Sequence, residues 1–249
     1  MRRTVGLIGY GRFGRLAAKY IARTADVLVY DDRPAARAGA RGSIKNGTLE
    51  TAASQTVVIL AVPISSLRKL LRAMRPHVRP DALVLDVCSV KVLPLRWMKE
   101  ILPGTVSIVG THPLFGPDSD TGSVRGQRLV MCPVRVRRSV INLLRRKLRR
   151  RGLRVSVMTP DAHDRLMAET LLVSQYVGRL VSEAGFVARD WSTPSYEHLK
   201  ALSKVAANDS GQLFADMWRY NPHARRMAAR ILTAHRRLMT PLRIGRIDS

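Results

Sequence analysis

The stretch that most constrains this chain is TVGLIGYGRFGRLAAKYI, residues 4–21. An apolar run ends in Gly9-Tyr10-Gly11-Arg12-Phe13-Gly14, a G-x-G-x-x-G turn, and a helical pattern follows. That spacing alone is a weak signal. Its context is stronger: a second apolar run, DVLVYDD (26–32), carries Asp31 at its end, 22 residues past Gly9. Strand, glycine turn, helix and a strand closed by an acid together make the unit that binds a dinucleotide. Gly9 permits the tight turn, Gly11 lets the backbone approach a pyrophosphate, and Gly14 lets helix and strand pack closely. The helix N-terminus then faces the phosphates. Tyr10, Arg12 and Phe13 are the intervening positions of the same cradle.

The end of the second run bears on the cofactor. Asp31 can accept hydrogen bonds from the adenosine ribose hydroxyls, which favours NAD, and Asp32 adds negative charge against a 2′-phosphate. Arg33 pulls the other way, because an arginine just past this strand can hold that phosphate, so NADP stays open. Val62 and Pro63, in the turn after a later apolar run, together with Ser89 complete the expected cofactor-binding set.

Apolar runs at 4–11, 26–32, 56–63, 82–89, 106–113 and 128–134 alternate with helical patterns, and 153–160 could add one more strand. Continuous apolar strands with helices between them imply a mostly parallel sheet covered on both faces. The fold class expected is therefore α/β, a Rossmann-like doubly wound sheet. After Pro160 the texture becomes helical throughout, beginning with one long helix over 161–186. The expected domains are 1–158, binding the dinucleotide, and 159–249, an all-helical substrate and dimerisation domain. The second is small for a self-sufficient core, which predicts a homodimer through its helices.

The charge is the unusual number: 43 Lys and Arg against 18 Asp and Glu, a formal net charge of +25. Residues 121–160 hold 12 Arg or Lys and no acid. A basic surface attracts phosphate polymers. Yet SVINLLRRKLRR has its apolar residues at helical spacing, so its arginines read equally well as a solvated helix face. The arginines are also spread along the whole chain, with few aromatics among them. Nucleic-acid binding is thus the less favoured reading. No apolar run is long enough for a membrane helix. Two separated cysteines, Cys88 and Cys132, make no disulfide framework, and a reducing cytoplasm is the simpler expectation.

A cofactor bound at the carboxyl ends of the strands needs its substrate there too. Two strands end in polar residues in that zone, giving DVCSVK (86–91) and GTHPLFGP (110–117). Ser89 and His112 are therefore expected to face one crevice. Hydride removal from a carbinol carbon needs a base for the hydroxyl proton, and a neutral histidine suits that role. Ser89 is expected to orient His112. A metal ion is not expected, since no second histidine or cysteine sits at ligand spacing nearby. Lys91 reads as a loop support or as a solvated lysine.

The glycine turn, DVCSVK, THPLFGP and HDRLMAETLLVSQYVGR (163–179), in this order, resemble the prephenate/arogenate dehydrogenases of tyrosine biosynthesis. THPLFGP and the later VGR are more similar to the arogenate branch. The resemblance implies oxidative decarboxylation of prephenate or arogenate, a small dianionic substrate, with hydride transfer to NAD(P). It implies His112 as base and substrate contacts at Ser89, Ser174, Gln175 and Arg179. Gln175 stands where the family commonly has histidine. His163 reads as a structural or supporting residue. The alternatives are another Rossmann-type hydroxyacid dehydrogenase and a dinucleotide-binding protein with a basic nucleic-acid surface.

Overall fold

The structure, a computed structural model, describes residues 3–33, 39–186 and 190–240. It divides into two compact units, Met1–His163 and Asp164–Ser249. The boundary expected after residue 158 lies a few residues earlier in the chain.

The first unit is built on one eight-stranded sheet. In chain order its strands are β1 (Thr4–Ile8), β2 (Asp26–Tyr30), β3 (Ile44–Asn46), β4 (Val57–Leu60), β5 (Leu83–Asp86), β6 (Ser107–Pro113), β7 (Arg128–Arg135) and β8 (Arg154–Val157). Their spatial order is β3-β2-β1-β4-β5-β6-β7-β8. All pairs are parallel except β6 with β7. Chain direction along the sheet reverses between β1 and β4, so the carboxyl ends of those two strands border a topological switch point, where ligands of open α/β sheets bind. The sheet is mostly parallel and helix-covered, as its unbroken apolar strands imply.

Among the described residues, five α-helices connect these strands: α1 (Arg12–Ile21), α2 (Leu49–Ala53), α3 (Ile64–Met74), α4 (Val92–Ile101) and α5 (Arg138–Arg150). Each buries small or apolar residues on one side. In α5 that side is Ile141 with Leu144 and Leu148, which pack on Leu129, Met131 and Val155. Its arginines thus form the outer face, the plain consequence of amphipathic burial. β3 and α2 have no counterpart among the expected elements. β3 is three residues long and not fully buried, too short to show a period.

The division between the units falls within α6 (Pro160–Glu169). The second unit continues with α7 (Leu171–Glu183), α8 (Pro194–Asn208), α9 (Gly211–Tyr220) and α10 (Ala224–Met239). The single helix expected over 161–186 is two. The break is at Thr170, whose ψ of −72° departs from the helical value. Its hydroxyl bonds Leu166 O at 2.7 Å, the back-bonding that bends helices. Pro222 immediately precedes the N-cap of α10, His223. The α7–α8 contact depends on Gly178, where a Cβ would lie 2.6 Å from Ala206 Cβ. Ala168, Leu172, Met217 and Ala224 form this unit's core. Among the described residues, no helix is long and apolar enough to cross a membrane.

Candidate active site

The glycine turn sits at the switch point. Gly9 has φ +99°, and a Cβ there would lie 2.3 Å from Ala61 O. A Cβ on Gly14 would lie 2.1 Å from Gly9 O, so α1 can rest against the turn only through glycine. Val62 packs beside Gly9, and Pro63 is the N-cap of α3. Gly11 is the N-cap of α1, whose first turn has no acid and no side-chain cap. A helix start of this kind suits an anion. Tyr10 is buried and Phe13 half-buried, while Arg12 is exposed at the helix start.

Asp31 closes β2 with its carboxylate almost wholly buried. It accepts Tyr10 N–H at 2.7 Å and so joins the glycine turn to the second strand. Arg33 lies on the same carboxylate, donating from its amide at 3.0 Å and from Nε at 3.0 Å. Burial raises the Asp31 pKa, but the hydrogen bonds from Arg33 and Tyr10 outweigh it and the net shift is downward. Asp32, beside it, is exposed.

The second half of the site lies at the ends of β5 and β6. Lys91 is completely buried and ion-pairs with the equally buried Asp86. It also donates to Thr111 O at 2.8 Å, while Thr111 Oγ1 donates to Asp86 O at 2.6 Å. One charged pair thus locks together the two strand ends that carry Ser89 and His112. The solvated reading of Lys91 is overturned. Its stem lies across Gly110, where a Cβ would meet Lys91 Cδ at 3.0 Å and Leu95 Cδ1 at 2.7 Å. Asp86 was not singled out in the sequence, because an acid inside an apolar run looks like an ordinary strand end.

His112 is the penultimate residue of β6 and is buried. Its Nδ1 lies 2.9 Å from Nε2 of His163, which is fully buried in α6. The rings meet edge to face at 68°. Among the described residues, no hydrogen bond joins Ser89 to His112. The orienting partner is His163, and Ser89 is half-buried in the loop between Asp86 and Lys91. The two histidines are 51 residues apart, so spacing along the chain could not pair them. Burial above all, then the nearby His163 and the Lys91 charge, hold the His112 pKa well below the usual 6.5. The imidazole is therefore neutral near pH 7. For Nε2 to accept a proton, Nδ1 must carry one and donate it to His163 Nε2.

Ser174, Gln175 and Arg179 lie on α7 in the second unit. Ser174 is exposed and its hydroxyl bonds Thr170 O at 2.9 Å. Gln175 is buried; its amide donates to Asp209 at 2.7 Å while Oε1 lacks a partner. Arg179, half-buried on α7, is engaged within its own unit. It donates to Asp209 O at 2.6 Å and to Ser210 O at 3.3 Å, and covers the Phe214 ring. Its guanidinium holds the turn between α8 and α9, because those carbonyls end one helix and precede the next.

Comparison with known proteins decides the family. The family profile "Prephenate dehydrogenase, nucleotide-binding domain" matches residues 17–157, more than half of the chain. The chain belongs to the prephenate dehydrogenase family. It is 28% identical over 186 residues to a protein named as a probable arogenate/prephenate dehydrogenase of Methanocaldococcus jannaschii, covering 71% of this chain and 41% of that one. It is 28% identical over 260 residues to chloroplastic arogenate dehydrogenase 1 of Arabidopsis thaliana, covering 100% of this chain and 40% of that one. It thus spans less than half the length of these two relatives. Among solved structures, prephenate dehydrogenase of A. aeolicus in complex with hydroxyphenyl propionate and NAD+ superposes with a TM-score of 0.77 at 20% identity, over 96% of this chain and 90% of that one. Synechocystis arogenate dehydrogenase does so with a TM-score of 0.68 at 20% identity, over 96% and 90%. These two likenesses add a shared fold to the family assignment.

Proposed function

We propose that this family member oxidatively decarboxylates prephenate, arogenate or both, passing hydride to NAD(P) in tyrosine biosynthesis. The observation that carries the reading is His112: a buried, neutral imidazole held at a strand end by His163, in the sheet that bears the glycine turn. A histidine with its Nδ1 proton engaged has the Nε2 lone pair ready for a hydroxyl proton.

The chain's own groups fit a dinucleotide. Gly9–Gly14 would take the pyrophosphate, with the uncapped start of α1 as the anion site, and Asp31 would take the adenosine ribose. Asp32, Arg33, Val62, Pro63 and Ser89 would border the same cofactor. Bound NAD supplies the hydride acceptor. His112 takes the ring hydroxyl proton as hydride leaves the carbinol carbon; carbon dioxide then departs and the ring becomes aromatic. Ser89 would offer a further hydroxyl to the substrate, and Lys91 holds the loop that carries it. Ser174 and Gln175 would serve the substrate from the helical unit, and Arg179 acts through the α8–α9 turn. NADP is the second reading, favoured by the guanidinium of Arg33 beside Asp31.

On this reading residues 1–158 form the dinucleotide-binding domain and 159–249 the substrate and dimerisation domain. Leu180, Phe186, Trp191, Leu232 and Leu238 are exposed apolar residues of the second unit and support a homodimer. A cytoplasmic site suits Cys88 and Cys132, both buried and neither in a disulfide.

The test is reduced-cofactor formation with prephenate and with arogenate, in wild type and in His112→Asn. Loss of a general base predicts a fall in kcat of about 10²–10⁴-fold with cofactor binding retained. Near-full activity in the variant would remove His112 from the role.

A further inference from the structure

Asp118 is bound to the residue that opens α1. Both its oxygens accept from Arg12 Nη2, at 2.8 and 2.9 Å. Arg12 directly follows Gly11, so its guanidinium starts from the turn that would cradle the diphosphate. Asp118 lies on the loop that leaves His112. In a chain of net charge +25, Asp118 and Asp120 are the only acids between residues 101 and 160. Both face α1.

The rest of this loop follows the same helix. Asp120 accepts from Lys19 at 3.1 Å and from the Tyr20 hydroxyl. Arg23 donates to Gly122 O at 3.1 Å. Three contacts, from Lys19 and Tyr20 on α1 and from Arg23 just past it, therefore hold the loop without the Arg12 pair. Arg12 can leave Asp118 while these contacts keep the loop docked.

We infer that Asp118 is an internal competitor for the cofactor's diphosphate: it occupies the Arg12 guanidinium in the free protein and yields it when a diphosphate arrives. The inference rests on the dinucleotide reading of the glycine turn. A carboxylate and a phosphate present the same planar or near-planar pair of acceptor oxygens to a guanidinium, so the exchange needs only a side-chain rotation. The pair is exposed, 51% for Arg12 and 23% for Asp118, so its strength is modest. Asp118 thereby sets cofactor affinity through a group on the His112 loop, without touching the cofactor.

The experiment is calorimetric binding of ADP, which carries the diphosphate, and of adenosine, which lacks it, to the full chain. Asp118→Asn is expected to tighten ADP about two- to fivefold, the span of an exposed ion pair, and to leave adenosine unchanged. Asp118→Glu, which keeps the competitor, should bind ADP as wild type does. Arg12→Gln should weaken ADP, and adding Asp118→Asn to it should then change nothing. Unchanged or weaker ADP binding by Asp118→Asn overturns the inference, as does equal tightening of adenosine. If wild type binds neither ADP nor NAD, the dinucleotide reading falls first, and the competitor with it.

Discussion

His112 Nδ1 lies 2.9 Å from His163 Nε2, and the pair joins the end of β6 to the start of α6. A single hydrogen bond thus fixes the plane of the proposed base, and the base role requires the tautomer in which His112 Nδ1 donates and His163 Nε2 accepts. His163→Ala should lower kcat about tenfold to a hundredfold, the cost of losing such a supporting partner. Cofactor affinity should hold, because the glycine turn is untouched. His163→Asn, which can accept from Nδ1–H, should recover part of the loss. Equal effects of Ala and Asn on kcat would make the contact packing alone.

The pH dependence has a definite sign. Burial first, then His163 and Lys91, depress the His112 pKa. The unfolded chain gains a proton near 6.5 that the folded chain refuses. This contribution to stability is therefore complete above 6.5 and is lost as pH falls from there toward the folded value. One proton gives a slope of at most about 1.4 kcal/mol per pH unit. Urea unfolding between pH 7.5 and 5.5 should show it, and His112→Asn should flatten it. The acid limb of kcat/KM should lie below 6.5 as well.

Much of this was legible in the sequence, for reasons that can be named. β1, α1 and β2 declare themselves because apolar runs and glycines at fixed spacing have few other uses. α5 was visible because its apolar residues recur at helical period among the arginines. His112 could be placed at a strand end by the loop chemistry that follows it. Its partner could not, since His163 enters from a helix beyond two further strands, and Ser89 was the nearer candidate along the chain. Asp86, and the burial that makes Lys91 a loop support rather than a solvated lysine, escaped for a related reason: a buried charged pair leaves no periodic signal. Thr170 divides a helix whose apolar pattern runs on without a break.

The Asp86–Lys91 pair is completely buried, so removing one member strands the other. Lys91→Met or Asp86→Asn should each cost about 3–5 kcal/mol in unfolding free energy. The double variant should cost less than the sum, because no charge then remains unpaired. Denaturant midpoints of the four proteins check this. Additive losses would show that the two side chains contribute separately.

Arg33 bears on cofactor choice through Asp31. Its Nε and amide both rest on Asp31 Oδ1 at 3.0 Å, and Nη2 reaches Oδ2 at 3.3 Å. A ribose diol must share or replace those donors, since Asp31 also holds Tyr10 N–H. A 2′-phosphate instead repels Asp31 and attracts Arg33. The same guanidinium thus opposes NAD through competition and favours NADP through charge. Arg33→Ala should therefore raise the ratio of kcat/KM for NAD over NADP about tenfold, one charge-assisted hydrogen bond's worth. Asp31→Asn should move the ratio the opposite way, because it removes the repulsion of the phosphate and weakens the diol contact. If Arg33→Ala lowers both cofactors equally, the arginine's role is to brace Asp31 against the turn, and the choice between cofactors lies with Asp31 alone.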